Sequence, residues 1–211
     1  MVKSRQRVAE HGEVFTSQRE VKAMCDFVKH ETERIDSRFL EPACGDGNFL
    51  AEILVRKLNC SQMKKYRRNY FDWERYSLLV LGSLYGIDIL FDNVEECRQR
   101  LYDIWEEEYR RVCKKECNDE TRAAAKFIIS RNIVCGNALT LMCVDENCND
   151  TEEPIVFSQW SFLKNDAFIS RKDYILDELV RMNGERKESK IKQVSMLDEN
   201  TPHTQDEGRF I

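Results

Sequence analysis

The sequence has no long hydrophobic run, no excess of positive charge and only three prolines. No apolar stretch approaches the roughly 18 residues that a membrane-spanning helix needs, and Met1–Arg5 begins no signal-peptide core. The formal net charge is −5, whereas a nucleic-acid-binding domain usually carries a basic surface or stripe. We therefore expect a cytoplasmic protein with no membrane segment, whose contacts with DNA are local or supplied by a partner.

The nine cysteines lack the paired pattern of a metal site. The closest pairs, Cys113 with Cys117 and Cys143 with Cys148, have no matching second pair and no nearby histidine, so we expect no zinc. Scattered cysteines such as Cys25 and Cys97 stand at apolar helical positions. We interpret them as reduced core thiols of an intracellular protein.

The composition is typical of one soluble globular domain, with 42% hydrophobic and 34% charged residues in a chain of 211. From Asn183 onward the sequence becomes polar and has few apolar residues to pack. We predict one domain over residues 1–182 and a disordered tail over residues 183–211.

The stretch Phe39–Leu50 predicts a strand, a tight turn and the start of a helix. A short apolar run ends at Glu41 and Pro42, then Gly45 and Gly47 bracket an aspartate, and a helical pattern follows at once. Glycine permits unusual backbone angles and lets a ligand approach the main chain, while the free N–H groups of the helix start face the same point. A Gly-x-Gly turn alone is a weak indication of a nucleotide site, and an ordinary glycine-rich connection is the alternative.

The fuller string Leu-Glu-Pro-Ala-Cys-Gly-Asp-Gly-Asn-Phe-Leu, residues 40–50, resembles the S-adenosylmethionine loop of the amino-group DNA methyltransferases, especially the adenine-N6 enzymes of restriction-modification systems. The segment Gly12–Ser17 resembles their Gly-x-x-x-Thr-Pro/Ser segment, which precedes the loop and folds over the methionine part of the cofactor. The resemblance covers roughly residues 8–180. It implies an α/β, Rossmann-like fold of the S-adenosylmethionine-dependent methyltransferases over residues 1–182, with an insertion at about residues 60–76.

The resemblance also implies a cofactor site. Glu41 and Asp46 would lie near the charged amino-acid moiety, and Asp88, ending a strand over 84–89, would accept hydrogen bonds from the ribose hydroxyls. Ile89 would pack on the adenine or simply fill the core. Asn137 replaces an aspartate that in the family meets the adenine amino group, and its amide oxygen can still accept. The implied cofactor-binding residues are Gly12, Glu13, Val14, Phe15, Thr16, Glu41, Pro42, Ala43, Cys44, Gly45, Asp46, Gly47, Asn48, Phe49, Asp88, Ile89, Asn137, Ala138 and Leu139.

Periodicity and turn residues predict most of the remaining elements. A capping box of Thr16 or Ser17 with Glu20 starts the first helix. Further helices are predicted after the glycine loop, over 92–116 and over 121–130, with a third strand over 132–135. Asp145–Pro154 is predicted to be an exposed loop, Pro154–Phe162 a strand or packed aromatic segment, and Asp173–Val180 a further apolar element.

Residues 60–76 mix basic and aromatic side chains. Such a mixture is used by proteins that bind single-stranded nucleic acid. A solvated insertion whose aromatic residues dock on the core explains it equally well. Both interpretations stay open.

The catalytic motif of the family is missing from this sequence. Adenine-N6 and cytosine-N4 enzymes carry Asn/Asp/Ser-Pro-Pro-Tyr/Phe/Trp after a fourth strand, and that motif holds the extruded base. The prolines here stand at positions 42, 154 and 202, so no Pro-Pro pair exists, and Arg181–Gly184 occupies the expected place. We therefore predict no catalytic residue in this chain and a fold truncated after about the fourth strand.

These features predict the cofactor half of a truncated or split DNA methyltransferase, a modification subunit that reaches DNA through a second polypeptide or a missing target-recognition domain. A catalytically silent S-adenosylmethionine-binding module, regulatory or for assembly, is the main alternative. A methyltransferase for a small molecule or protein would not need the Pro-Pro motif, but the Gly-x-x-x-Thr segment argues against it.

Overall fold

A computed structural model describes residues 16–162 and 169–185 of the chain. The first helix, α1 (Gln18–Phe27), starts at the predicted capping box, with Ser17 rather than Thr16 as the capping residue. The Glu20 N–H donates to Ser17 Oγ, and the Ser17 N–H donates to Glu20 Oε2 at 3.1 Å. A short helix α2 (Lys29–Thr32) leads toward the sheet.

Three neighbouring parallel strands form one side of the five-stranded sheet, in the order in which they occur along the chain. They are β1 (Phe39–Glu41), β2 (Leu84–Asp88) and β3 (Ile133–Asn137), with Phe39 opposite Leu84 and Asp88 opposite Cys135. Two antiparallel strands, β4 (Met142–Val144) and β5 (Asp150–Pro154), extend the sheet beyond β3. The predicted α/β class is therefore confirmed.

Parallel neighbours need long crossover connections, and helices supply them here. Between β1 and β2 lie α3 (Asn48–Leu58), α4 (Ser61–Tyr66) and α5 (Tyr70–Gly82). Between β2 and β3 lie α6 (Phe91–Cys113), a 3-10 turn (Lys114–Glu116) and α7 (Asp119–Asn132). The helices predicted over 92–116 and 121–130 are confirmed, the second with an extra turn. A β-α-β-α-β unit of this kind is compatible with a Rossmann-like fold.

The sheet separates two apolar cores. Along β2 the side chains alternate, so that Leu84 faces the larger core with the crossover helices, and Tyr85 and Ile87 face a smaller one. A Cβ atom on Gly86 would lie 3.0 Å from both Cys44 Sγ and Leu50 Cδ1, so the glycine loop and α3 pack closely on this strand. This close approach places the start of α3 against the sheet.

The structure corrects the prediction of a loop over Asp145–Pro154. Only the turn at residues 145–149 is irregular, and Asp145 Oδ1 accepts from the main-chain N–H groups of Asn147 and Asn149 at 2.8 and 2.9 Å. The rest forms β5, whose side chains are mostly exposed and polar. An outward-facing edge strand needs no apolar alternation, and so its polar, turn-rich sequence resembles that of a loop.

The last described elements are a separate hairpin and a helix. Strand β6 (Val156–Phe162) pairs antiparallel with β7 (Ile169–Ile175), and α8 (Leu176–Glu185) follows. The apolar element predicted over Asp173–Val180 therefore spans a strand end and a helix start. The first residues of the predicted tail, from Asn183 to Glu185, are helical, and the remainder lies outside the described residues.

The truncation predicted after a fourth strand needs correction too. The strand that follows β3 is antiparallel, and Arg181–Gly184 belongs to α8 rather than to a loop after a strand. Within residues 16–162 and 169–185, the parallel part of the sheet contains only β1, β2 and β3. None of the helices in these two ranges has both the length and the apolar character needed to span a membrane.

Candidate functional site

The carboxyl ends of β1, β2 and β3 meet at one edge of the sheet because the three strands are parallel. Glu41 ends β1, Asp88 ends β2 and Asn137 ends β3. In open α/β sheets, ligands bind in the crevice outside this edge. The folding topology thus brings together three of the predicted site residues that are far apart in sequence.

The loop between β1 and α3 depends on two glycines. Gly45 has φ 53° and Gly47 φ 84°, both in the left-handed region. A Cβ atom on Gly47 would also lie 2.6 Å from Cys97 Sγ, so both its conformation and its surroundings require glycine. The loop is held on β2 by the Cys44 N–H, which donates to the Ile87 carbonyl at 2.9 Å.

Asp88 fastens this loop to the end of β2. Its Oδ2 accepts from the Gly45 N–H at 2.8 Å, and its Oδ1 accepts from the Leu90 N–H at 2.9 Å and from Asn93 Nδ2 at 3.3 Å. A carboxylate has about four lone-pair sites, so Oδ2 can accept one more hydrogen bond. Asp88 therefore positions the loop, and it keeps acceptor capacity for the predicted ribose contact.

Arg100 of α6 also holds the loop, and sequence reasoning missed it. Its Nη2 donates to Asp46 Oδ2 at 2.7 Å, and its Nη1 donates to Asn48 Oδ1. This pairing engages one oxygen of the Asp46 carboxylate with a protein cation. No local sequence pattern indicates Arg100, because it lies 54 residues beyond its partner.

Glu41 forms no ion pair with a basic residue of the described chain, and neither does Asp88. Burial raises the pKa of the Glu41 carboxyl above the usual value, and a hydrogen bond from the Ala43 main chain offsets part of this change. Pro42 and Ala43 beside it are exposed, whereas Phe49 is half-buried against the core. A partly desolvated carboxylate of this kind favours a cationic or hydroxyl donor as its ligand.

Cys44, in the loop between β1 and α3, has an unreactive thiol. The Cys97 thiol forms a hydrogen bond with Cys44, and this contact, together with burial, raises the Cys44 pKa far above its usual range. Cys97 itself is fully buried, as is Cys25, whose pKa burial raises to about 11. All nine cysteines lie within the described ranges as free thiols. Five are buried and four, Cys117, Cys135, Cys143 and Cys148, are half-buried, so only part of the set consists of core residues.

At the end of β3, Asn137 is already engaged by two neighbours. Its Oδ1 accepts from the Leu139 N–H at 3.0 Å, and its Nδ2 donates to Asp150 Oδ1 at 3.0 Å. The Leu139 side chain is 95% exposed, and Ala138 packs on the smaller core. Asp150 begins β5 and is not among the predicted site residues, because the sequence predicts an exposed loop over Asp145–Pro154.

Ile89 is half-buried beside these residues. Its carbonyl accepts weak hydrogen bonds from the thiols of Cys135 and Cys148, at 3.6 and 3.5 Å. The turn between β4 and β5 therefore folds back toward the end of β2. Of the predicted residues before the glycine loop, Thr16 is exposed, and Gly12, Glu13, Val14 and Phe15 lie outside the described residues.

Comparison with protein-family models, with curated proteins and with solved structures gave no match.

A shallow cavity of about 300 Å³ lies beside this edge, between α1, α3 and α6. It shares Asn48 with the predicted site and Arg100 with the loop contacts described above. Val21, Ala51 and Ile104 give it an apolar lining. It lies along the helices rather than at the strand ends, so it extends the candidate site instead of forming its centre.

Residues 60–76 form α4 and the first half of α5, far from this edge. Trp73 and Met63 are fully buried, whereas Tyr70 and Phe71 are about half exposed. Tyr70 contacts Cys113, the last residue of α6. Helix α6 begins beside the candidate site, just after β2, and its 23 residues span about 34 Å. Contact with nucleic acid here would therefore occur far from the strand ends.

Proposed function

We propose that this chain binds S-adenosylmethionine at the carboxyl ends of β1, β2 and β3, as the cofactor half of an adenine-N6 DNA methyltransferase. In this proposal, the motif that holds the target base comes from another polypeptide segment. The observation that supports it best is the position of the loop over residues 41–48. The loop lies between a parallel strand and a helix, has two left-handed glycines, and is fixed by Asp88.

The donor and acceptor groups of the edge fit such a cofactor. Glu41, partly buried and without a basic partner in the described chain, would accept from the ammonium group of the amino-acid moiety. The free lone pair of Asp88 Oδ2 would accept from a ribose hydroxyl. Bound cofactor supplies a methyl group on a sulfonium sulfur, and transfer is a direct displacement that requires alignment with the acceptor nitrogen.

A second candidate is a silent S-adenosylmethionine-binding module. It is favoured by the helical conformation of Arg181–Gly184, which leaves no loop after a parallel strand at the place expected for the catalytic motif. The two candidates agree on the cofactor site and differ on methyl transfer. Binding and transfer therefore need separate experiments.

Binding is tested by titration calorimetry of the full chain with S-adenosylmethionine and S-adenosylhomocysteine. Glu41→Gln keeps the shape of the side chain but removes its charge, so we expect it to weaken S-adenosylmethionine binding about tenfold. Glu152→Gln removes one charge from an exposed position of β5 and should leave the affinity unchanged. A wild-type chain that binds neither compound contradicts the proposal.

Transfer is tested by incubating the chain with tritiated S-adenosylmethionine and unmethylated duplex DNA. A polypeptide that carries an Asn-Pro-Pro-Tyr motif and a target-recognition domain is added or omitted. Label in DNA only when both polypeptides are present supports the split enzyme. Tight cofactor binding without label in either condition supports the silent module instead.

A further inference from the structure

We infer that Asp150, together with Asn137, forms the part of the site that selects an adenine base by its amino group. This inference rests on the proposed function, since it concerns the same cofactor site. It assigns a specificity-determining role to a β5 residue that the resemblance to methyltransferases does not include. The pair would distinguish a 6-amino purine from a 6-oxo purine.

Two hydrogen-bond partners fix the orientation of the Asn137 amide, because one of them can only donate and the other can only accept. The Leu139 main-chain N–H can only donate, so the atom 3.0 Å from it must be the amide oxygen. The other end of the amide then carries the two N–H donors. One of them points at Asp150 Oδ1, 3.0 Å away, which can only accept when ionised.

This arrangement makes Asn137 the weaker acceptor of the two side chains. One lone pair of its neutral amide oxygen is engaged with Leu139 and one is left, and its nitrogen would present a donor to another donor. Asp150, by contrast, is exposed, and its ionised carboxylate has unused lone pairs. A charged acceptor also forms roughly twice as strong a hydrogen bond as a neutral amide oxygen.

The two side chains together present a donor beside an acceptor. The second N–H of Asn137 Nδ2 can donate, and the Asp150 carboxylate can accept. The Watson–Crick edge of adenine carries the complementary pair, a ring nitrogen that accepts and an amino group that donates. Hypoxanthine carries the opposite groups, a ring N–H that donates and a carbonyl oxygen that accepts. Its N–H would face the N–H of Asn137, and its carbonyl oxygen would face the carboxylate of Asp150.

The surroundings suit an aromatic ring. Leu139 follows β3 and is 95% exposed, while Phe91 follows the end of β2 at the start of α6 and is 64% exposed. Ile89 lies half-buried at the same edge. Apolar side chains therefore follow the ends of both strands at the edge where the donor and acceptor pair lies.

The test compares the affinities of the full chain for S-adenosylhomocysteine and for its deaminated analogue, S-inosylhomocysteine. We expect wild type to prefer the adenine compound by at least about tenfold, since the analogue loses two hydrogen bonds and places like groups opposite each other at both positions. Asp150→Asn should reduce this preference by about tenfold or more, because an amide can turn its N–H₂ toward the carbonyl of the analogue. It also keeps an oxygen that accepts from Asn137.

Glu152→Gln is the matched control, since it removes the same charge from the same strand at an exposed position. Its preference should equal that of wild type, which separates recognition of the base from a general change of surface charge. An Asp150→Asn variant that binds S-adenosylhomocysteine and keeps the wild-type preference overturns the inference alone. Binding of neither compound by wild type overturns the proposed function and the inference with it.

The wild-type chain alone already tests the inference. If its affinities for S-adenosylhomocysteine and S-inosylhomocysteine are about equal, the role of Asp150 is overturned even if the substituted chain does not fold. Thermal melts of each variant without ligand accompany the titrations.

Discussion

Gly47 shows how a single residue is constrained by both its own backbone and a distant helix. Its φ of 84° disfavours any side chain, and Cys97 of α6 occupies the space that a Cβ atom would need. The first constraint was predictable from the sequence, because a glycine between a strand and a helix usually marks an unusual turn. The second was not, since Cys97 reaches the loop only through the crossover packing of α6.

The two constraints on Gly47 can be separated by a double-mutant cycle. We expect Gly47→Ala to lower the free energy of unfolding by ~3 kcal/mol, through the left-handed conformation and the overlap with Cys97. In a Cys97→Ala background the same substitution should lower it by only ~1 to 2 kcal/mol, because the overlap with Sγ is gone. The left-handed conformation and the 3.2 Å approaches to the Cα and Cβ atoms of residue 97 remain. Urea unfolding of the four proteins measures both values, and equal losses in the two backgrounds would contradict the overlap.

At the scale of elements, β1 is held in place by a buried lysine of α3. Lys57 is fully buried, and its Nζ donates to the carbonyl oxygens of Arg34, Ile35 and Ser37, with 2.7 Å to the first. These carbonyls belong to the segment that leads into β1. The ammonium group thus satisfies main-chain acceptors that would otherwise be buried without partners.

The burial of Lys57 makes the stability of the chain depend on pH. Burial lowers the pKa of Lys57 to about 7 from its ordinary value of 10.5. Between these two values the unfolded state binds more protons than the folded state, so the Lys57 contribution to stability rises as pH increases from about 7 to 10.5. The slope is at most about 1.4 kcal/mol per pH unit.

Lys57→Met provides the comparison for this prediction. The substitution should destabilise the fold by ~2 to 5 kcal/mol, because it leaves three buried carbonyl groups without a donor. Urea unfolding at a series of pH values should show the stability gap between wild type and variant widening from neutral to alkaline pH. A gap that stays constant over this range would mean that Lys57 keeps its ordinary pKa in the folded chain.

Elements with a strong local pattern were predicted well, and those without one were not. The capping box of Ser17 and Glu20, the apolar run into Glu41 and the periodicity of α6 each specify their element within a few neighbouring residues. Strand β5 has no such pattern, because it lies at the edge of the sheet and exposes Glu152 and Glu153. The boundary between β7 and α8 was missed since the apolar residues continue across it.

The same distinction explains which parts of the candidate site could be predicted. Glu41, Asp88 and Asn137 each end a parallel strand, and a parallel sheet necessarily brings such ends together. Arg100 and Asp150 reach the site from a helix face and from an antiparallel strand. Their positions depend on packing between elements, and no pattern of neighbouring residues in the sequence indicates such packing.

At the scale of the whole molecule, the charge distribution is poorly suited to binding DNA without help. Many arginines of the described chain form ion pairs with its own acidic residues, as Arg56 does with Asp26 and Glu52, and as Arg122 does with Glu106 and Asp119. The net charge is −5. Nonspecific DNA affinity comes mainly from lysines and arginines that neutralise phosphates and release counterions, and arginines already paired with carboxylates serve this role poorly.

We therefore expect the chain alone to bind duplex DNA weakly, with a Kd above about 10⁻⁴ M near 0.15 M ionic strength. The slope of log affinity against log salt concentration should be no steeper than about −2, because only one or two phosphates would be neutralised. Fluorescence anisotropy with a labelled duplex, over a series of salt concentrations, measures both quantities. A polypeptide with a target-recognition domain should steepen the slope, since its own cations would then contact the phosphates. Tight binding with a steep slope by the chain alone would mean that its free lysines form a DNA-binding surface, and the role of a second polypeptide in reaching DNA would be contradicted.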